Sequence, residues 1–237
     1  MADQERLSAS TAFAARVVSS TDEIPAVRRV WVAPERAFVY RAGQVAELVL
    51  AGETERRLFA IASAPHEARE VMLLIRTVGS EVPMNPDALD AGRAVELHGP
   101  LGPGFPLEDA VGRDLLLVAV GTAAAPLRSA LVEALTRRGD FGRVAFVHGV
   151  RHLGDVCFAA EHDAWRRQGV DVRVVLSRPA DADAWRGPVG WVQEHLADLV
   201  TPATTAFVVG MPAMEAATEA RLLELGVARG AIHNNFG

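Results

Sequence analysis

The sequence is poor in several features, and each shortage excludes a class of protein. Cys157 is the one cysteine among 237 residues, so the chain cannot form an internal disulfide or hold a four-cysteine iron–sulfur cluster with its own side chains. Its net charge is −6, whereas proteins that bind nucleic acid usually present a basic surface. We therefore expect neither a disulfide-stabilised protein nor a nucleic-acid-binding one.

Long apolar runs are also missing. The longest, such as residues 115–120, are far too short to cross a membrane, and the N-terminal residues lack the basic and apolar stretches of a signal peptide. We therefore expect a cytoplasmic protein without a membrane span. Half of the residues are nevertheless apolar, which is enough to bury a sizeable core.

The first half of the chain alternates between short β-like runs and turn-forming residues, with no long helical pattern between them. Six strands at this spacing predict a small antiparallel β-barrel. The predicted strands cover residues 13–19, 27–32, 45–50, 58–63, 71–76 and 94–97. The Gly- and Pro-rich stretch 99–106 predicts a loop, so we place a domain boundary after Glu108 and assign residues 1–108 to the barrel domain.

The second half, residues 109–237, follows a different period. Continuous apolar runs alternate with amphipathic segments, which is typical of a parallel sheet covered by helices on both faces. Strands are predicted at residues 115–120, 144–148, 170–176 and 206–209, and helices at 125–138, 155–168, 189–199 and 212–225. In such an α/β domain we expect the ligand site at the carboxyl ends of the strands.

Two strand-to-helix turns in this half share one design. Gly121 follows the first apolar strand and Gly210 follows the last, and Pro126 stands in the first turn of a predicted helix. Glycine lets a ligand approach the backbone closely, and the free N–H groups of a helix N-terminus attract anions. The pair of turns predicts a grip on a dinucleotide. Each turn alone also fits an ordinary connection, with Met211 and Met214 as core residues.

Three motifs occur in order along the chain. They are Arg57-Leu58-Phe59-Ala60, Gly121-Thr122-Ala123-Ala124-Ala125-Pro126 and Val209-Gly210-Met211-Pro212-Ala213-Met214, with weaker matches at residues 148–151, 176–179 and 185–190. The set resembles the Arg-x-Tyr-Ser, Gly-Thr-Gly-x-x-Pro and Cys-Gly-Pro-x-x-Met motifs of the ferredoxin–NADP reductase superfamily. That superfamily joins a flavin-binding barrel to a pyridine-nucleotide domain, and the order and spacing fit over nearly the full length.

The resemblance implies a flavin site on the barrel. Arg57 would pair with the flavin pyrophosphate, and Phe59, in the family's tyrosine position, would lie against the isoalloxazine ring. The other implied flavin contacts are backbone groups of Ile61, Ala62 and Ser63 and a second phosphate-binding segment of Arg76, Gly79 and Ser80. FAD is the implied flavin and FMN the alternative. Without the family pattern, a surface ion pair at Arg57, a core position for Phe59 and a plain turn at 79–80 would be the preferred explanations of these residues.

On the nucleotide side, the resemblance implies a second set of contacts. These are Gly121, Thr122, Pro126, Arg151, Ser177, Arg178, Gly210, Met211 and Met214. Arg178 stands where the adenosine ribose should lie, and an arginine there suits the 2′-phosphate of NADP. The same Ser-Arg-Pro stretch occurs in NAD-using relatives, so both NAD and NADP remain open. Phe236 would cover the flavin until nicotinamide displaces it, or would finish a sheet edge.

Three departures from the family pattern fall at the expected reaction centre. Ala60 replaces a serine whose hydroxyl lies near flavin N5 in the family, Val209 replaces a cysteine near the nicotinamide, and Ala123 replaces the middle glycine of the nucleotide turn. The motifs therefore support cofactor binding more strongly than efficient turnover.

The hypothesis that results is a flavin-dependent NAD(P)H oxidoreductase of the reductase or diaphorase type. Nicotinamide would pass hydride to the bound flavin, and electrons would continue to an unidentified acceptor. A redox protein is one candidate for that acceptor. The chemistry belongs to the cofactors, so no catalytic acid or base is required, and the histidine spacing predicts no metal site. The alternative is a catalytically weakened or non-catalytic subunit, or binding module, of an electron-transfer complex with the same fold.

Overall fold

A computed structural model describes residues 11–67, 69–78, 84–180 and 184–235, and it contains two sheets that follow each other along the chain. The first has six antiparallel strands, and the second has five strands that run parallel. The predicted fold class, a β-barrel followed by an α/β domain, is confirmed. The boundary after Glu108 falls between the two sheets and stays a prediction.

The first sheet contains all six predicted strands. They are β1 (Ala12–Ile24), β2 (Val27–Pro34), β3 (Val45–Leu50), β4 (Arg57–Ala60), β5 (Val71–Arg76) and β6 (Ala94–Leu101). Their order is β4-β3-β6-β1-β2-β5, and a bridge between Ile61 and Leu73 joins the two outer strands. The sheet therefore curls around a core that includes Phe38, Leu48 and Leu97.

The second sheet contains the four predicted strands and one more. Its members are β7 (Asp114–Val120), β8 (Val144–Val150), β9 (Val170–Leu176), β10 (Thr204–Val209) and the short β11 (Ile232–His233), which sequence reasoning missed. Their order is β11-β10-β7-β8-β9. The helices among the described residues are α1 (Ala124–Leu135), α2 (His162–Arg167) and α3 (Pro212–Glu224). The residues of β8 and β10 are buried throughout, as expected for strands covered on both faces.

Two of the predicted helices are largely wrong. The segment predicted at 155–168 is α-helical only at His162–Arg167, after a 3₁₀ turn at Ala159–Glu161, because Phe158 takes a left-handed conformation with φ of 59° and interrupts it. The segment predicted at 189–199 forms only a short 3₁₀ turn, Val192–His195. There the carbonyl of His195 accepts a hydrogen bond from the Arg173 side chain (2.7 Å) instead of from a following helical N–H.

Apolar packing joins the two domains on one side of their junction. Phe105, in the loop after the barrel, stacks on Phe207 of β10 with ring centroids 4.5 Å apart and an interplanar angle of 11°. Gly43 has φ of 87°, and a β-carbon there would lie 2.3 Å from the Phe105 ring. Position 43 must therefore be glycine for the barrel backbone to lie this close to the stacked rings. None of the helices in the described ranges is long and apolar enough to span a membrane.

Candidate functional site

A cleft of about 290 Å³ lies between the barrel and the parallel sheet. This volume is close to the roughly 300 Å³ at which small-molecule sites begin. Barrel residues Val45, Leu58, Phe59, Ala60 and Leu74 form one wall, and Thr122, Ala123, Ala125, Pro126, Val209 and Asn235 form the other. The structure thus brings together residues from all three sequence motifs, although they are spread over about 150 positions of the chain.

The three departures from the family pattern all line this cleft. Ala60 lies on the barrel wall, and Ala123 and Val209 lie on the wall opposite. A methyl or isopropyl group therefore stands at each position where the family pattern has a serine, a glycine or a cysteine. None of these three side chains can donate a hydrogen bond to a ligand.

Arg57, at the start of β4, is held by two carboxylates. Its Nη1 donates to Glu53 (2.7 Å) and its Nη2 donates to Glu55 (2.8 Å). The Arg57 side chain is 10% exposed, whereas those of Glu53 and Glu55 are 41% and 49% exposed. The ion pair considered as an alternative for Arg57 is therefore present. Pyrophosphate binding by Arg57 stays a prediction, and it requires the two exposed carboxylates to move away.

Phe59 and Arg76 remain accessible on the barrel. Phe59 is half-buried and lines the cleft, so part of its ring is open to a ligand. Arg76 is exposed at the end of β5, two positions after the cleft-lining Leu74 and thus on the same face of the strand. Their flavin contacts stay predictions. Gly79 and Ser80, predicted for the same phosphate-binding segment, lie outside the described residues.

The residues that follow β4 are fixed inside the barrel. Ile61, Ala62 and Ser63 are fully buried, and the Ser63 Oγ accepts from the Met72 N–H (3.0 Å) and lies 2.7 Å from the Tyr40 hydroxyl. The Tyr40 hydroxyl donates its one proton to the Ala64 carbonyl (2.9 Å). In the hydrogen bond between Ser63 and Tyr40, the Ser63 hydroxyl is therefore the donor.

Burial raises the pKa of Tyr40 well above its ordinary value, so this hydroxyl stays a donor. The hydrogen bonds hold the strand that carries the flavin motif. Because the side chains of Ile61, Ala62 and Ser63 are buried, their predicted flavin contacts would have to come from backbone groups, and they stay predictions.

The nucleotide turn runs from Gly121 to Ala123 and leads into α1. Gly121 has φ of 55° and open space beside its α-carbon. No side chain caps the turn or α1, and the N–H of Ala124, the first residue of α1, already donates to the carbonyls of Gly121 and Thr122. An anion would therefore have to be bound by the backbone N–H groups of the turn itself. Thr122 and Pro126 line the cleft beside these groups. The geometry fits the anion site predicted from the sequence.

His148 supports this turn from within the sheet, a role that sequence reasoning missed. Its Nε2 donates to the Gly121 carbonyl (2.9 Å), which assigns the proton to that nitrogen. Burial lowers the pKa of His148 to about 4, so the ring is neutral.

Across the described ranges, no three histidine, cysteine, aspartate or glutamate side chains come together as a metal site.

The second turn is shaped by packing. A β-carbon at Gly210 would lie 2.2 Å from the Met214 side chain and 2.7 Å from that of Val120, so a larger residue there would require both side chains to move. Met214 is buried in the core, as the alternative reading of the sequence had it, whereas Met211 is 64% exposed. The Gly210 N–H is occupied by Glu215 (2.8 Å). Nucleotide contacts from this turn stay predictions.

Arg151 and Arg178 lie side by side at the carboxyl edge of the sheet. They follow β8 and β9, and the Arg178 N–H donates to the Arg151 carbonyl (2.9 Å). Both residues are exposed, and Ser177 beside them is half-buried. Two cations therefore stand at the edge where the sequence places the adenosine end of a nucleotide, and their role there stays a prediction.

Asn235 is a cleft residue that no sequence signal indicated. It is 2% exposed, and its Nδ2 donates to the Gly43 carbonyl of the barrel (3.3 Å). Its Oδ1 is buried and has no partner among the described residues. An unsatisfied buried acceptor is costly, and a ligand N–H would satisfy it. A flavin ring and a nicotinamide carboxamide both carry such groups, so the cleft fits either. Phe236, the next residue, lies outside the described part of the chain.

Comparisons with known proteins agree with this architecture. Residues 117–220 match the oxidoreductase NAD-binding domain family. The chain is 30% identical over 243 aligned residues to ferredoxin–NADP reductase B of Sorangium cellulosum, covering 93% of this chain and 96% of that protein. It is 31% identical over 199 residues to the sulfhydrogenase 1 subunit gamma of Pyrococcus furiosus, covering 81% of this chain and 67% of the subunit. The crystal structure of the Amycolatopsis cytochrome P450 reductase GcoB superposes with a TM-score of 0.84 at 26% identity, covering 96% of this chain and 70% of that one.

Proposed function

The chain belongs to the ferredoxin–NADP reductase superfamily of flavin-dependent NAD(P)H oxidoreductases, and we propose that its cleft holds a flavin and a nicotinamide against each other. Members of this superfamily bind FAD and NAD(P), the cofactors that the motifs predict. The observation that carries the proposal is the meeting of the flavin motif and the nucleotide turn in one cleft, next to the unpartnered oxygen of Asn235.

The bound cofactors supply the hydride and electron chemistry, as they do generally in such enzymes. The chain's own residues bind and orient. Phe59 offers an aromatic face, Arg57 offers a guanidinium fork to phosphate, and the uncapped turn Gly121–Ala123 offers its backbone N–H groups to an anion. Because the hydride step needs no protein acid or base, the apolar wall of Ala60, Ala123 and Val209 is compatible with it.

The edge arginines bear on the choice of nucleotide. Arg151 and Arg178 place two exposed guanidiniums on adjacent strand ends, which suits a 2′-phosphate and favours NADPH in the proposal. We propose a redox protein as the electron acceptor, in line with relatives named as a ferredoxin–NADP reductase and a sulfhydrogenase subunit. A cytoplasmic location also stays a prediction.

A visible spectrum tests the proposal. The purified protein is reconstituted with FAD or FMN, freed of excess flavin, and titrated anaerobically with NADH and with NADPH. We expect bound FAD whose absorption bleaches on reduction, at lower concentrations of NADPH than of NADH. Protein that remains colourless after incubation with both flavins would overturn the proposal.

A second candidate is a weakened or non-catalytic subunit of an electron-transfer complex. It is favoured by the similarity to the sulfhydrogenase subunit and by the loss of the motif serine and cysteine at Ala60 and Val209. The same titration separates the two. Flavin that binds but stays oxidised with both NADH and NADPH would support the second candidate over the first.

A further inference from the structure

Arg128 lies on α1, one turn after the helix begins, and its side chain is 7% exposed. Its Nη1 donates to the carbonyl of Ala62 in the barrel (2.8 Å), and its Nε donates to Glu161 (2.8 Å). Glu67, also in the barrel, lies 3.2 Å from Nη1. A buried guanidinium is stable only when its donors are satisfied, and here the partners come from both domains.

A second arginine approaches the same carboxylate from the barrel. Arg29 of β2 donates from Nε to Glu23 (2.7 Å), and its Nη2 lies 3.1 Å from Glu161. Glu23 in turn accepts a hydrogen bond from the backbone N–H of Phe158 in the second domain. Glu161 is therefore shared by one arginine from each domain, and Glu23 links Arg29 of the barrel to the Phe158 backbone of the second domain.

Phe158 fills the space between the two cations. The Arg29 and Arg128 guanidiniums lie 5.2 and 5.5 Å from its ring centroid, within the range of cation–π attraction. Phe158 is completely buried and holds the left-handed φ of 59° that interrupts the predicted helix. A bulky residue adopts this conformation only where surrounding contacts impose it. We name the set of Arg29, Arg128, Phe158, Glu23, Glu67 and Glu161 the interdomain clamp.

The clamp joins the two backbones that form the cleft. Ala62 follows the flavin motif by two residues, and Arg128 follows the nucleotide turn on the same helix. A neighbouring contact repeats the link, since His66 Nδ1 lies 2.8 Å from Glu133, also on α1. We infer that Arg128 is a positioning residue that sets the spacing between the flavin strand and the nucleotide turn. The inference rests on the proposed function.

A change in this spacing acts on hydride transfer more than on flavin binding. A misplacement of about 1 Å between reacting groups can cost a factor of about 100 in rate. Arg128 is absent from the residues that line the cleft, so its removal deletes no side chain that faces the ligand. The expected signature is a lower limiting rate of flavin reduction with a nearly unchanged flavin Kd.

The test compares Arg128→Met and Arg128→Lys with Arg221→Met, which removes an exposed arginine paired with Glu224 on α3. Reduction of bound flavin is followed in single turnovers against the concentration of whichever nucleotide reduces the wild type. We expect Arg128→Met to lower the limiting rate about 10- to 100-fold and Arg128→Lys to recover part of it. Arg221→Met should match the wild type.

Amide hydrogen exchange of the flavin-free protein gives a readout that does not depend on turnover. Exchange at residues 61–64 and at Phe158 should rise in Arg128→Met and stay unchanged in Arg221→Met, because the clamp holds both segments. If the wild type binds no flavin, the proposed function fails while this readout still decides whether the clamp exists.

Two results would overturn the inference. One is a folded Arg128→Met protein that exchanges at residues 61–64 as the wild type does. The other is raised exchange with an unchanged limiting rate, which would make the clamp a stabilising contact only. If Arg128→Met does not fold, Glu161→Gln replaces it, since it removes the shared charge but keeps an acceptor oxygen, and a smaller loss of rate in the same direction is expected.

Discussion

The two walls of the cleft differ in how their expected binding groups are held. On the barrel wall, the arginine expected to bind phosphate is already paired with carboxylates, whereas on the opposite wall a buried histidine supports a turn that no side chain caps. Arg57 is held by Glu53 and Glu55. Across the cleft, neutral His148 donates to the carbonyl of Gly121, and no side chain caps the turn Gly121–Ala123 that leads into α1. A nucleotide at this turn would find its support already in place, whereas a flavin pyrophosphate at Arg57 would have to replace the two carboxylates.

The exchange on the barrel wall is energetically reasonable. Each ion pair of Arg57 involves a partly exposed carboxylate, and such pairs contribute about 0.2–1 kcal/mol. A hydrogen bond from a guanidinium to a phosphate contributes about 1.5–3 kcal/mol. On these values a pyrophosphate at Arg57 would displace the carboxylates with a net gain, and the carboxylates would reduce that gain without blocking it.

The largest expected effect comes from removing the cation on the barrel wall. Arg57→Ala should weaken flavin binding about 100-fold, because two charge-assisted hydrogen bonds at about 1.5 kcal/mol each amount to roughly two factors of ten in Kd. Titration followed by flavin fluorescence measures this change. Arg56→Ala is the matched control, since its neighbouring guanidinium pairs with Glu47. Equal losses in the two variants would assign the effect to general charge and remove Arg57 from the site.

The role of neutral His148 on the nucleotide wall can be tested through the pH dependence of the free energy of unfolding. Burial lowers the pKa of His148 from 6.5 to about 4, so between these values the unfolded chain takes up a proton that the folded chain refuses. The free energy of unfolding should therefore fall as pH decreases from about 6.5 to about 4, by up to about 3 kcal/mol from this residue. Burial also lowers the pKa of His162 to about 4, which adds a loss in the same direction.

Urea unfolding at neutral and at mildly acidic pH measures this dependence. His148→Gln keeps an N–H donor for Gly121 but cannot be protonated, so its free energy of unfolding should change less across the same interval. His162→Gln should flatten the profile further when combined with it. If both variants leave the pH dependence unaltered, other groups control acid stability, and the neutral state of His148 contributes nothing measurable to it.

Local patterns in the sequence predicted most of the fold, and the family motifs named Phe59, Ala60, Thr122 and Pro126 among the residues that line the cleft. The ten predicted strands are present, because alternation and apolar runs depend on near neighbours. The missed features depend on distant ones. Arg128 bonds to Ala62 across 66 positions, and the Phe158 N–H bonds to Glu23 across 135. The left-handed turn at Phe158, which shortened a predicted helix, therefore has no local signal.

A smaller effect is expected from restoring the motif hydroxyl on the barrel wall. Ala60→Ser adds a donor at a half-buried position that already faces the cleft, so it should raise the rate of flavin reduction about 10-fold, equivalent to about 1.4 kcal/mol in the barrier. Single-turnover reduction measures it. Ala125→Ser, which adds the same group on the nucleotide wall, is the control. An unchanged rate in Ala60→Ser would show that the missing serine does not limit hydride transfer in this chain.

The smallest effect is expected from removing the carboxylates that pair with Arg57, which would leave the barrel wall, like the opposite wall, without competing anions. In Glu53→Gln/Glu55→Gln the Arg57 guanidinium loses its competing anions, so flavin binding should tighten about 2- to 5-fold, the equivalent of surface ion pairs worth under about 1 kcal/mol. Glu47→Gln, which removes a carboxylate partner of Arg56 instead, should leave flavin binding unchanged.

Combining this double variant with Arg57→Ala completes a thermodynamic cycle. If the carboxylates act only by occupying Arg57, their removal should have no effect once the arginine is gone, and the full 2- to 5-fold gain should vanish. Weaker flavin binding in the double variant would instead mean that Glu53 and Glu55 orient the guanidinium for its ligand. In that case both walls of the cleft would be organised in advance, and the difference between them would disappear.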